Sequence, residues 1–119
     1  MGKLSTHVLD TTRGRPGSGI AVAVFKVIDG QRQFIKSVIT NSDGRCDEPL
    51  LEGAALEMGV YELVFSTGPY FSALQPDAAQ DKIRFLDDVV IRFGVPVADE
   101  HYHVPLLITP FSYSTYRGS

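Results

Sequence analysis

Apolar and polar residues alternate along this chain in one short segment after another, and that period constrains it more than any other feature. In VYELVFST, Tyr61, Leu63 and Phe65 take one parity while Val60, Glu62 and Val64 take the other, the pattern of a strand with one buried face. STHVLDT alternates near the start, and IAVAVFKVI is β-rich and largely apolar. QFIKSVIT follows it across a DGQ turn, at hairpin spacing. DDVVIRFGV adds a strand, and HYHVPLLITPFSYSTYRGS holds two more, bent apart near Pro110. Pro105 inside the first of these argues for an edge position or a bulge, because proline donates nothing to a ladder. RGRPGSG and NSDGR break the pattern with turn residues. EPLLEGAALEMG reads as irregular or as a short edge strand. Only GPYFSALQPDAAQDKIRF has helical character, and Pro76 limits it to a turn or two. Seven or eight short strands with one brief helix predict an all-β sandwich, a single domain over residues 1–119.

A chain of 119 residues buries roughly two thirds of its unfolded surface, enough for one core. The net charge of −3, with eleven scattered Lys and Arg, gives no basic face for nucleic acid. One cysteine, Cys46, excludes an intrachain disulfide framework and a cysteine-based zinc finger. No apolar stretch reaches membrane-spanning length, so no membrane partner is expected. The first seventeen residues lack the apolar core of a signal peptide, and the expected address is the cytoplasm.

Chemistry has few places to reside. The three histidines, His7, His101 and His103, all fall in strand segments. His101 and His103 share a strand face by their spacing. The plain reading is that each is an exposed or satisfied strand residue. An H-x-H pair with a distant third histidine also resembles a three-histidine zinc site with one open position. Arg45 follows the NSDG turn, where a guanidinium can project over a sheet and clamp a planar, oxygen-rich ligand. Arg117 has the same latitude, and for both the plain alternative is a solvated loop arginine. Nucleophile elbows and phosphate-binding glycine loops are missing, and Cys46 has no histidine beside it in sequence. Histidine-activated water is the chemistry this inventory best supports.

Four blocks then resemble one family: LSTHVLDTTRGRPGSGI, TNSDGR, HYHVPLL and the terminal YSTYRGS. In that order they are similar to the 5-hydroxyisourate hydrolases, transthyretin-like enzymes of purine breakdown, and the likeness runs from Leu4 to Ser119. The terminal Tyr-Arg-Gly-Ser is its most specific part, since transthyretin itself lacks it. Departures are mild: Thr109 stands where serine is common, and Cys46 follows the arginine.

The resemblance implies a transthyretin-like sandwich of two four-stranded sheets with one short helix. It also implies a homotetramer, a dimer of dimers whose active sites line a channel and include the chain end. By motif it assigns His7, Arg45 and His103 as catalytic, with His7, Arg45, Tyr116 and Ser119 contacting the substrate. The implied reaction opens the six-membered ring of 5-hydroxyisourate to give 2-oxo-4-hydroxy-4-carboxy-5-ureidoimidazoline. His7 or His103 would be the base and Arg45 the oxyanion partner, and neither a cofactor nor a metal is expected. The main rival is a transthyretin-type carrier of a hydrophobic hormone, against which a polar, cationic channel wall argues. An inert sandwich would leave the terminal motif without a purpose.

Overall fold

The computed structural model describes residues 1–74 and 83–119. Two sheets face each other. The first is built on β1 (Lys3–Asp10), β8 (His101–Ile108) and β9 (Tyr113–Thr115). Two-residue strands β2 (Arg15–Pro16) and β5 (Leu51–Glu52) line the free edge of β1, one near each end. The second runs β4 (Gln31–Ile39), β3 (Ala21–Ile28), β6 (Gly59–Ser66) and β7 (Asp88–Val95). The all-β sandwich expected from the strand period is thus present. The first sheet has five strands where the resemblance implied four, because two two-residue strands, β2 and β5, share the free edge of β1.

Alternation places the core. Tyr61, Leu63 and Phe65 of β6 are fully buried, as are Val22 and Val24 of β3. From the other sheet Leu4 and Val8 of β1 meet Leu106 and Ile108 of β8 in the same cluster. The β3–β4 hairpin closes on Asp29 and Gly30, both at positive φ (52° and 79°), which matches the right-handed strand twist. The single helix, α1 (Thr67–Leu74), follows β6 directly, with Pro69 in its first turn where its missing N–H costs nothing. Pro76 lies outside the described residues.

Two buried polar side chains of β1 find partners. Thr6 Oγ1 donates to the Val104 carbonyl at 2.7 Å. Asp10, fully buried, accepts from Thr12 N, Arg13 N and the Tyr70 hydroxyl, which pins α1 to the end of β1.

The pairing that matters most for function is non-local. β1 and β8 run parallel in continuous register from Lys3↔His101 to Asp10↔Ile108. Pro105 therefore sits in an interior strand, between β1 and β9, and not at an edge. The His103 carbonyl accepts from Gly118 N and the Pro105 carbonyl from Thr115 Oγ1, so these residues turn their peptide groups toward the C-terminal segment. The missing donor at Pro105 falls on that side. There the ladder is interrupted between Leu106↔Thr115 and an isolated bridge, His103↔Gly118.

Candidate functional site

Strand parity decides which side chains can meet. In β1 the even-numbered residues are buried, leaving Ser5, His7 and Leu9 on the outer face. In β8 His101, His103 and Leu107 face outward by the same alternation. Parallel register sets Ser5 opposite His103 and His7 opposite Pro105. Two histidines 96 positions apart thereby become neighbours. The contact is direct at one point, where Ser5 Oγ lies 2.8 Å from His103 Nδ1.

Arg45 arrives from a turn fastened to the same strand. The Asn41 side-chain oxygen accepts from Asp43 N (2.9 Å) and Arg45 N (3.2 Å), which holds the NSDGR loop in shape. Val8 N donates to the Gly44 carbonyl at 2.8 Å, and an antiparallel bridge joins His7 to Arg45. Gly44 is obligatory here: its φ is +74°, and a Cβ would sit 2.3 Å from the Val8 carbonyl oxygen. The close approach that glycine permits is what seats the guanidinium-bearing residue beside His7.

The chain end forms a third side. Gly118 N donates to the His103 carbonyl at 2.8 Å. A Cβ on Gly118 would lie 2.7 Å from His103 Cδ2 and 3.2 Å from Pro105 Cγ, so the backbone packs directly on the imidazole. Arg117 secures this arrangement. Its Nη2 reaches Glu100 Oε1 and the His101 carbonyl, each at 3.0 Å, and its guanidinium lies 4.4 Å over the Tyr102 ring. Arg117 is therefore an anchor for the terminal segment, and the ambiguity it shared with Arg45 is resolved.

Burial lowers the proton affinity of His103, and the positive field of Arg45 and then of His7 lowers it further. The ring is neutral at neutral pH, as a proton acceptor must be. Cys46 is half-buried, and desolvation raises its thiol pKa, so it stays protonated.

Structure thus brings His7, Arg45 and His103 to one face of the first sheet. Tyr116 and Ser119 are exposed, and among the described residues neither is hydrogen-bonded to those three. Tyr116 lines a cleft of about 250 Å³ with Phe93, Tyr102, Val104 and Arg117, between the edge strands β7 and β9. His101 is exposed and contributes only its carbonyl. No group of three or more His, Cys, Asp or Glu side chains converges at metal-binding spacing among the described residues. The sequence reading missed Ser5, Asn41, Gly44 and Gly118. Ser5 was legible in principle, since its spacing of two from His7 puts both on one strand face.

The profile of the HIUase/Transthyretin family matches residues 4–118. A 5-hydroxyisourate hydrolase of Ralstonia nicotianae is 57% identical over 122 residues, with 100% of each chain covered. A solved 5-hydroxyisourate hydrolase from Klebsiella pneumoniae superposes at a TM-score of 0.79 and 32% identity, again over 100% of each chain. A solved (S)-allantoin synthase superposes at 0.89 and 38% identity; 99% of this chain is covered, but it spans only 44% of that longer one.

Proposed function

The chain belongs to the HIUase/transthyretin family, and we propose that the outer face of its first sheet is where it hydrolyses 5-hydroxyisourate. The activity follows from full-length identity of 57% to a curated hydrolase of that name. The observation that carries the site is the convergence of His7, Arg45 and His103 from three separate segments, one of them a turn fitted to β1 by Gly44.

Opening a ring amide by water requires the attacking oxygen to lose a proton, the carbonyl oxygen to carry transient negative charge and the leaving nitrogen to gain a proton. His103 is the base in this reading, because burial and the positive field of Arg45 lower its affinity for a proton. It takes the proton from water as the O–C bond forms. Arg45 stabilises the oxyanion, a contribution of about 3–4 kcal/mol for a well-placed donor in a dry site. When the C–N bond breaks, the proton held by His103 passes to the departing nitrogen and the ring opens. His7, bridged to Arg45, stands on the other side of the same face and orients the substrate. Each proton is accounted for within the site, and the scheme uses no redox step.

Tyr116 and Ser119 complete the substrate contacts once subunits assemble. The outermost strands β7 and β9 each have one unpaired edge among the described residues. A second copy adding to both edges would extend the sheets and enclose the cleft beside Tyr116, and two such dimers meeting on the histidine-bearing faces would give the homotetramer. Residues 1–119 then act as one domain. Among the described residues no helix is long and apolar enough to cross a membrane, and we place the enzyme in the cytoplasm.

A spectrophotometric assay on freshly generated 5-hydroxyisourate tests the reading. The wild-type chain should accelerate its disappearance, and His103→Ala should lose about 100- to 10,000-fold in kcat with its assembly intact, the usual worth of a positioned acid–base group. Near-normal turnover by that variant would remove His103 from the mechanism.

A further inference from the structure

The contact between Ser5 and His103 has a consequence for how one imidazole serves two proton transfers. Ring nitrogens that bind a partner fix the tautomer of a histidine: a carboxylate or carbonyl at Nδ1 holds the proton there and leaves Nε2 as a lone pair. Ser5 Oγ at 2.8 Å is a different partner. A hydroxyl carries one donor and two acceptor sites and rotates to suit. It accepts from Nδ1–H when Nε2 is the base, and goes on accepting once Nε2 has taken the proton of water, because the imidazolium carries N–H at both nitrogens. Among the described residues no other hydrogen bond holds the Ser5 hydroxyl in one orientation.

We propose that Ser5 is a positioning residue for His103, a hydroxyl that accepts from Nδ1–H through both proton transfers and so keeps Nε2 the atom that takes and returns the proton. This rests on the role given to His103 above. The opposite edge of the ring supports it, since Cδ2, bonded to Nε2, lies against Gly118. The imidazole is thus held between a hydroxyl and a backbone, with no fixed charge bonded to Nδ1. Charged and titratable groups around it are His7 on β1, Arg45 in the bridging turn, and His101 on β8 itself with Lys3 opposite. The two that act on it most, Arg45 and His7, both disfavour a protonated ring. A neutral partner at Nδ1 leaves that bias intact, whereas a carboxylate would reverse it.

The test uses the full-length chain with Ser5→Ala, Ser5→Thr, Ser5→Asp and His103→Ala. Ser5→Ala should lower kcat about tenfold, as expected for one hydrogen bond, and change KM little. Its acid limb should shift to lower pH, because the charged ring loses an acceptor. Ser5→Thr should restore both, since the hydroxyl returns on a strand-compatible side chain. Ser5→Asp should move the acid limb up by about a unit or more, because a carboxylate at Nδ1 stabilises the protonated ring. Independently of activity, ¹⁵N shifts of the His103 ring should report chiefly the Nδ1–H form in the wild-type chain and a larger share of the Nε2–H form in Ser5→Ala. Wild-type kcat and an unmoved acid limb in Ser5→Ala, beside an inactive His103→Ala, would overturn the role of Ser5 alone. A wild-type ring held mainly as the Nε2–H tautomer would overturn it as well. An active His103→Ala would instead sink the mechanism on which the inference rests.

Discussion

Replacing Gly118 with alanine puts a methyl carbon where the structure has only hydrogen. Built on the present backbone, that carbon lies 2.7 Å from His103 Cδ2, 3.2 Å from Pro105 Cγ and 3.4 Å from His103 Cβ. Carbon atoms sit comfortably no closer than about 3.5 Å, so the ring edge must yield by about 0.8 Å. The imidazole has little room to do so, since its other edge is bonded to Ser5. The terminal segment is also restrained, by Gly118 N on the His103 carbonyl and by the Arg117 contacts to Glu100 and Tyr102. Whichever side gives way, the separation between Nε2 and the chain end changes by nearly an ångström. A misplacement of that size costs a reaction about 100-fold, whereas overpacking at the end of an exposed strand costs at most about 1–3 kcal/mol in stability. The expected result for Gly118→Ala is therefore a kcat lower by about two orders of magnitude, with a melting temperature lower by about 3–15 °C and the fold retained. Turnover within about threefold of wild type would refute the reasoning, because it would mean that the contact between backbone and imidazole does not position the reacting groups.

Because His103 binds its proton more weakly than a free imidazole, the acid limb of kcat/KM should fall below about pH 6.5, the unperturbed value. The same shift acts on stability: the unfolded chain binds this proton more readily, so the contribution of His103 declines as pH drops from about 6.5 through its lower folded value. Urea midpoints across that range would show the decline. Gly44→Ala should destabilise the chain by about 2 kcal/mol or more, from its φ of +74° and the clash with the Val8 carbonyl. It should also cut activity by displacing Arg45, with denaturant unfolding and the substrate assay reading the two effects. Activity should persist after exhaustive treatment with a chelator; loss restored by added zinc would revive a metal role for the histidines.

The sheets were legible where periodicity speaks. Tyr61, Leu63 and Phe65 announced a buried face because alternation is a local property of a strand, and the positive-φ turn at Asp29 and Gly30 was written in its dipeptide. Pairing was not legible to the same degree. That β1 lies parallel to β8 depends on contacts almost a hundred residues apart, for which adjacent residues carry no signal. This is why Pro105, read as an edge or bulge marker, proved to lie inside the sheet: the sequence shows the missing donor but not which neighbour it would have served. Arg117 was ambiguous for a related reason, since its partners Glu100 and Tyr102 become neighbours only through the return of the chain. His7, Arg45 and His103 emerged through motif resemblance, and their spatial convergence needed coordinates. Ser5 went unnoticed because a serine in an alternating strand is ordinary until a histidine is found opposite it.

The parallel embrace of β1 and β8 also governs the order in which this protein can assemble on a ribosome. β1 is synthesised first, yet its partner appears only after about a hundred further residues, roughly five to twenty seconds later at ordinary elongation rates. Until then Leu4 and Val8 have no β8 to cover them, and one edge of the strand is open to any passing chain. The proposed site needs still more, because Gly118 must reach His103 before the imidazole is seated. Nascent chains arrested short of their last residues should therefore carry most of the β4-β3-β6-β7 sheet while remaining inert and prone to stick to one another.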